Sequence, residues 1–255
     1  MLKRIVGLVV AVLFVSNVPA ALPQQEQAQP IFTFVSEWQI LRANWAEFTD
    51  DGEKNVNPIL ERLMADGTLL SWGNVENIVH TPDGTTHGLW LSSTSVGGST
   101  RALDEMRKSG ALRCAGAIAA TKHEDHLMRK VFHRGSSVSH GTGYLRVVCT
   151  LAQPGKGADF AAVLRKYEGD VFEEQFKKGV VTSYGMDEQY VNTAPQSVRC
   201  FAATYREGES VNKFAGAIAA NFEKVGKDFQ DALASTTVLN SRRDMLARIT
   251  HYAQK

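Results

Sequence analysis

The sequence predicts an α+β protein built from two tandem units of about 110 residues, each with the element order β-α-β-β-α-β. The first observation behind this prediction is an internal repeat. Residues 67–81 align without a gap on residues 179–193 at an offset of 112, with six identical positions in fifteen. The second is that strand and helix signals follow in the same order in both halves. A duplication of this length indicates two domain-sized units rather than a solenoid of short repeats.

In the first unit, aromatic and β-branched residues predict the opening strand. Asn57 and Pro58 predict a helix start, because Asn caps helices and Pro is favoured at the first helical position; Gly67 is placed to end that helix. The turn signal 82–84 predicts a hairpin. The predicted strands are 32–40, 69–80, 86–93 and 127–134, and the predicted helices are about 57–66 and 99–120.

The second unit repeats this order. Apolar residues between Phe160 and Phe176 recur at helical spacing, and Gly179 is placed to end that helix as Gly67 ends its counterpart. A second, longer helix is predicted within 209–236. The predicted strands of this unit are 144–151, 181–192, 197–205 and 245–252.

The N-terminus has the features of a secretory signal peptide. Lys3 and Arg4 precede an apolar run over 5–15, and small residues precede an expected cleavage after Ala20. The run is shorter than the ~20 residues that span a bilayer, so we expect no stable membrane anchor after cleavage. The sequence therefore predicts a secreted or periplasmic protein.

The expected domain organisation follows from the repeat and from composition. Glycine and serine between the two units are typical of a linker. The predicted segments are a signal peptide over 1–20, a flexible lead-in over 21–30, the first unit over 31–134, a linker over 135–143 and the second unit over 144–255.

Composition and motifs exclude several function classes. The formal net charge is +1 and no basic face is clustered, so no nucleic-acid partner is expected. The chain has no P-loop, no G-x-S-x-G and no dinucleotide fingerprint. Its 3 cysteines are too few for a disulfide scaffold. Cys149 and Cys200 lie in the first and third predicted strands of the second unit. These strands could be neighbours, so the two cysteines could form a bridge or remain buried as small apolar residues.

The candidate binding residues come from the paired second and third strands of each unit. Glu76 and Glu188 are a carboxylate kept at equivalent positions on a largely apolar, aromatic face. A buried carboxylate of this kind could act as a base or bind a ligand. Alternatively, it could pair with a basic neighbour such as Arg199 or lie in water at a sheet end. The ligand-binding candidates are Glu76, Glu188, His87, Arg199, Trp72 and Tyr184. Which face of the hairpin looks inward is left open.

Metal ligands are not indicated strongly by any motif. His133 and His251 are predicted at equivalent places in the last strand of each unit, which makes them weak candidates for a symmetric site. Residues 123–126, which begin and end with histidine, are predicted to lie in a charged connector. They lack the HExxH spacing of a zinc site.

The element order and the duplication resemble the dimeric α+β barrel superfamily, in which two ferredoxin-like units close a barrel. Its members include antibiotic-biosynthesis-monooxygenase-like, EthD-like and NIPSNAP-like domains. The haem-peroxidase branch is disfavoured, because the chain lacks the Gly-x-x-Asp-Gly motif. The resemblance implies one intrachain barrel over about 31–255.

Two functions are compatible with this fold. The first is a binding or scaffold protein, whose ligand would be a small apolar or aromatic molecule. The second is a cofactor-independent oxygenase or isomerase that resembles the monooxygenase-like barrels. The two functions are discriminated by whether the barrel holds a closed pocket with convergent Glu, His and aromatic side chains, and a filled barrel would favour a scaffold. Cofactor and oligomeric state are not specified by the sequence.

Overall fold

The computed structural model describes residues 29–111, 113–191 and 198–255, and it confirms the predicted element order. The strands are β1 (Phe32–Gln39), β2 (Ser71–Asn77), β3 (His87–Ser93), β4 (Lys122–Gly135), β5 (Val138–Leu151), β6 (Ser183–Gln189), β7 (Val198–Tyr205) and β8 (Arg243–Gln254). The α-helices are α1 (Trp45–Asp51), α2 (Asn57–Ala65), α3 (Val96–Ser109), α4 (Ala115–Ile118), α5 (Gly157–Lys177) and α6 (Gly208–Thr236). A single π-helical stretch, Gly52–Val56, joins α1 to α2.

The eight strands form one closed antiparallel barrel in the order β1-β3-β2-β8-β5-β7-β6-β4. Each unit contributes four neighbouring strands, in the orders β4-β1-β3-β2 and β8-β5-β7-β6, which is the ferredoxin-like arrangement. The units meet at two equivalent seams, β2 with β8 and β6 with β4. The barrel therefore has an approximate two-fold symmetry that follows from the duplication.

The repeated segment has the same register in both units. Ser71 pairs with Ser92 in β2–β3, and Ser183 pairs with Thr204 in β6–β7, again at an offset of 112 residues. Glu76 and Glu188 consequently occupy equivalent places. The predicted superposition of the two hairpins is confirmed.

The hydrophobic cores lie between the outer face of the barrel and its helices. In the first unit, Trp72 and Leu91 pack against Leu60 and Leu63 of α2. In the second unit, the corresponding cluster centres on Phe172 of α5. Each strand thus buries one face under helices, which leaves the other face to line the interior of the barrel.

Three predicted boundaries are wrong. The expected linker is mostly strand: β4 ends at Gly135, β5 begins at Val138, and only two residues connect them. The histidine-containing segment 123–126 is the start of β4 rather than a connector. The helix expected over 99–120 is two helices, because Gly110 adopts a left-handed φ of 80° that ends α3. In the first two cases the pairing of strands across the barrel overrides local composition.

The predicted signal peptide and most of the lead-in lie outside the described residues. Within the described part of the chain, no helix is long and apolar enough to cross a membrane.

Candidate functional site

The inward-facing side chains of the barrel line a cavity of about 390 Å³. Side chains alternate along a strand, so Ser71 and Val75 of β2 face the cavity while Trp72 faces the helices. The inner face of the β2–β3 hairpin therefore carries the small residues Ser71, Gly88 and Ser92 together with Val75 and Trp90. The structure thus determines which face of the hairpin points into the barrel, which the sequence left open.

Apolar side chains line much of this cavity. The largest is Trp90, whose ring lies over Gly73; a Cβ added there would come within 2.0 Å of the indole. In the second unit the place of Trp90 is taken by Ala202, which lies opposite Gly185. The duplication has therefore left room on one side of the cavity. The apolar lining consists of Val35, Val75, Leu89, Trp90, Met128, Leu145, Val147, Val198, Ala202 and Met245.

A disulfide between Cys149 and Cys200 forms another part of the wall. The two cysteines are directly opposite each other in the β5–β7 pair, with 4.0 Å between their Cα atoms. Of the two alternatives left open by the sequence, the bridge is the one found in the structure.

Hydroxyl groups add hydrogen-bonding capacity to the cavity. The Thr33 and Ser92 hydroxyls lie 3.0 Å apart, and those of Ser183 and Thr204 lie 2.7 Å apart. A hydroxyl can both donate and accept, so these groups can rearrange to meet either type of polar atom on a ligand.

Charged groups face the cavity from β1, β4, β6 and β8. The Lys130 ammonium donates to both carboxylate oxygens of Asp187, at 3.2 and 3.3 Å, and both side chains are largely shielded from solvent. The Glu37 Oε2 atom lies 3.8 Å from His126 Nε2, and Arg243 lines the cavity from β8. Separating the Lys130–Asp187 pair would leave two largely buried charges unpaired, which costs free energy. The pair therefore stays intact in the cavity wall.

His133 is the other cavity-facing histidine. Its side chain is exposed at the cavity surface, and the protein atoms around the ring bury it only in part. This burial lowers the pKa of the imidazole, and neighbouring Lys130 lowers it further, whereas Asp187 opposes the shift. His133 is therefore neutral near pH 7 and can accept a hydrogen bond or a proton.

The six residues predicted as ligand-binding candidates all lie on the helix-facing side of the barrel. They are Trp72, Glu76 and His87 in the first unit and Tyr184, Glu188 and Arg199 in the second. The structure brings them together in pairs across the hairpins, with Glu76 beside His87 and Glu188 beside Arg199. It does not gather them around the cavity.

Glu188 is a member of an ion-pair cluster. Its Oε2 atom accepts from Arg199 at 2.7 Å, and its Oε1 atom pairs with Arg129 of β4. Burial lowers the pKa of Arg199, and the charge of Glu188 opposes that shift. This is the structural pairing that the sequence analysis gave as the alternative to a ligand-binding role.

His87 is enclosed between the first-unit sheet and α1. Its Nδ1 atom lies 2.9 Å from the Thr86 hydroxyl, and its ring makes edge contacts with Trp45 and Phe48. Burial, with a smaller contribution from His80, lowers the pKa of His87 to about 4. In the second unit, the Tyr184 hydroxyl donates to Glu173 of α5 at 3.1 Å.

His133 and His251 are not equivalent, contrary to the sequence prediction. His133 pairs with Gly185 in β4–β6, and the residue that pairs with the corresponding Gly73 in β2–β8 is Tyr252. A shift of one residue moves a side chain to the other face of a sheet. His251 accordingly points outward, where its Nδ1 atom is 3.9 Å from Glu53. The two histidines cannot share a symmetric site.

A different cluster of possible metal ligands was missed by the sequence reasoning. Glu124 and His126 are alternate residues of β4, and Glu37 is opposite Glu124 in β1. One ligand atom from each lies within 4.8 Å of the others. Two of the three ligands, Glu124 and His126, lie within the segment 123–126. They share one face only if this segment is a strand, in which alternate side chains point the same way, and not if it has the spacing of a helix.

Comparison with known proteins supports the fold and nothing finer. No family model and no curated protein matches the sequence. Among solved structures, a candidate monooxygenase from Fusobacterium nucleatum aligns with a TM-score of 0.62 and 11% identity, over 90% of this chain and 96% of that one. A candidate monooxygenase from Lactobacillus acidophilus gives a TM-score of 0.56 and 13% identity, with 89% and 97% covered. An anthrone oxidase-like protein gives 0.56 and 9%, with 89% and 93% covered.

The chain has the dimeric α+β barrel fold of these proteins, with both ferredoxin-like units on one polypeptide. Identities this low carry no information about substrate or activity, because one fold supports many functions.

Proposed function

We propose that the protein binds a small, largely apolar molecule inside the barrel. The observation that carries this proposal is the cavity of about 390 Å³ lined by apolar side chains and a few convergent polar groups. Small-molecule sites typically enclose roughly 300–1,000 Å³ and combine an apolar lining with a small number of placed polar groups. A scaffold barrel would instead be expected to fill its interior with side chains.

The lining indicates the class of ligand. Trp90, Met128 and the valines offer an apolar and aromatic surface, whereas the hydroxyls and His133 offer hydrogen bonds. A flat or aromatic molecule with one or two polar substituents fits this combination. The Lys130–Asp187 pair is internally neutralised, so it favours no strongly charged ligand.

Filling the cavity tests this proposal. Ala202→Trp places an indole where the first unit has Trp90, and it should reduce the affinity for an uncharged hydrophobic dye such as Nile red at least tenfold. Leu239→Trp, at an exposed site outside the cavity, adds the same side chain as a matched control. Equal dye affinity in both variants would contradict binding inside the barrel. Native mass spectrometry of protein purified from its own source would then identify a retained ligand.

Export of the chain is also a proposal. It is supported by the signal-like N-terminus and by the Cys149–Cys200 disulfide, since disulfides persist mainly in oxidising compartments. Mass analysis of the natural protein should show that residues 1–20 are absent. Recovery of the intact N-terminus would refute export by cleavage.

Catalysis is the second candidate, and the observation behind it is an imidazole that faces the cavity of a barrel whose fold candidate monooxygenases and an anthrone oxidase-like protein share. Within the cavity, His133 offers an imidazole nitrogen that can accept a hydrogen bond from a bound substrate. Anthrone is a suitable probe, since its oxidation by one dioxygen gives anthraquinone and one water. Oxygen uptake that is lost in His133→Gln but kept in His251→Gln would support an enzyme. Dye binding without any uptake would favour the binding protein.

A further inference from the structure

The strongest feature that the proposed function leaves unused is the cluster of Glu37, Glu124 and His126 at the β1–β4 pair, on the cavity wall. Glu37 and His126 line the cavity, and Glu124 is the next inward-facing residue of β4 beyond His126. We propose that these three side chains form a binding site for one divalent transition-metal ion. The proposal is independent of the proposed ligand, because it concerns only the affinity of the chain for the ion.

The geometry suits one ion. The three ligand atoms lie within 4.8 Å of one another, and Glu37 Oε2 is 3.8 Å from His126 Nε2. That separation is too long for a hydrogen bond. It is shorter than twice the metal–ligand distance of about 2.1 Å, so a single ion can contact both atoms without backbone movement.

The surroundings orient Glu37 for this role. The Thr85 hydroxyl donates to Glu37 Oε1 at 3.0 Å, and the Asn77 amide in turn donates to the Thr85 carbonyl at 2.6 Å. The second oxygen of Glu37 is the one directed at His126. Outer hydrogen bonds of this kind fix the orientation of metal-binding carboxylates.

The charge of the cluster also favours a cation. The two carboxylates carry a formal charge of −2, of which the Lys122 ammonium, 3.0 Å from Glu124 Oε1, balances one unit. The mixed nitrogen and oxygen donors suit zinc, manganese, iron or cobalt better than magnesium or calcium, which take oxygen ligands. Three protein ligands leave coordination positions open toward the cavity.

The duplication offers an internal comparison. In β5–β8, Cys149 pairs with Arg243 at the place that corresponds to Glu37 opposite Glu124. Where the first unit has two glutamates, the second unit therefore has the disulfide-bonded Cys149 and the positively charged Arg243. The proposed site belongs to the first unit alone.

The test is a titration of the untagged full-length chain with Zn²⁺ by calorimetry and with Co²⁺ by visible absorption. We expect one ion per chain with a dissociation constant in the micromolar range or below. Glu37→Gln and His126→Ala should each weaken binding at least tenfold, and Thr85→Val should weaken it less. His123→Ala is the matched control, because His123 lies on the same strand with its side chain on the opposite face, beside Asp125 and Ser36.

Several outcomes would overturn the site. They are no binding of either ion by the unmodified chain, undiminished binding in Glu37→Gln/His126→Ala, or equal weakening by His123→Ala. Cys114→Ser in the same titration removes the free thiol as a competing zinc ligand. If circular dichroism shows that His126→Ala does not fold, Glu124→Gln is titrated in its place. Glu124 is more exposed, so its substitution should weaken metal binding without unfolding the chain. The dye experiment with Ala202→Trp reports on the cavity separately, so either proposal can fail alone.

Discussion

Glu76 and Glu188 occupy the same place in the two units but have different surroundings. Glu188 lies between Arg199 and Arg129, whereas Glu76 lies beside the neutral, buried His87. In the second unit, the retained carboxylate is therefore explained by the ion pair between Glu188 and the buried Arg199. A carboxylate retained in both units is compatible with such an ion pair and with a ligand-binding group alike.

Removing the charge of Glu188 should reduce stability without affecting the cavity. Glu188→Gln takes away an acidic partner of the buried Arg199, and we expect a loss of about 1–3 kcal/mol in the free energy of unfolding. Urea titration followed by circular dichroism measures this loss. Glu76→Gln is the matched control and should change stability by less than about 0.5 kcal/mol. A fall in dye affinity for Glu188→Gln, with stability unchanged, would contradict the structural role.

Burial of His87 should make stability depend on pH. Its folded pKa of about 4 lies below the ordinary value of 6.5. Below pH 6.5 the unfolded chain therefore binds a proton that the folded chain does not, and stability falls as the pH drops toward 4. The contribution is at most about 3 kcal/mol. His87→Gln should flatten the decline between pH 7 and pH 5 in urea titrations, whereas the exposed His140→Gln should not. Parallel declines in all three proteins would refute the assignment.

At the scale of elements, the sequence was sufficient where local chemistry decides the structure. Gly67 and Gly179 were predicted to end helices, and both adopt a left-handed φ, at 83° and 70°. The order of strands and helices was also predicted, because each copy of the repeat carries the same local strand and helix signals. These features depend on single residues and their immediate neighbours.

The sequence was insufficient where the partner strand decides. His251 was aligned with His133, but a one-residue difference in register places it on the other side of the sheet. The inner face of the hairpin could not be chosen, because helices bury one face and the barrel encloses the other. The Glu37–Glu124–His126 cluster joins strands that are distant in sequence, so local spacing did not reveal it.

The left-handed glycines provide a test at this scale. Gly179→Ala forces a Cβ into a φ of 70° and should cost about 1 kcal/mol of stability. Gly169 lies inside α5, where an added Cβ would meet no atom within 4 Å, so Gly169→Ala should instead stabilise by about 0.5–1 kcal/mol. Thermal denaturation of both variants measures the two signs. Stabilisation by Gly179→Ala would show that this helix end does not need a left-handed residue.

For the molecule as a whole, duplication solves the problem of open sheet edges. Each unit alone would expose β2 and β4, or β6 and β8, as unpaired edges. In the full chain these edges pair with each other at the two seams. A closed barrel has no free edge to recruit another strand, which protects it against aggregation. Closure also creates the cavity, because its wall needs strands from both units.

Separating the units should therefore restore the need for a partner. The segment 29–136 contains β1 to β4, and its free β2 and β4 edges are equivalent to those joined at the seams. Two copies could pair β2 with β4 twice and close a homodimeric barrel. We expect light scattering coupled to gel filtration to show a dimer or larger species for this segment and a monomer for the full chain under the same conditions. A stable, folded monomer of the segment would mean that pairing at the seams is not required for one unit to fold. The cavity would then result from joining two domains that are each stable alone.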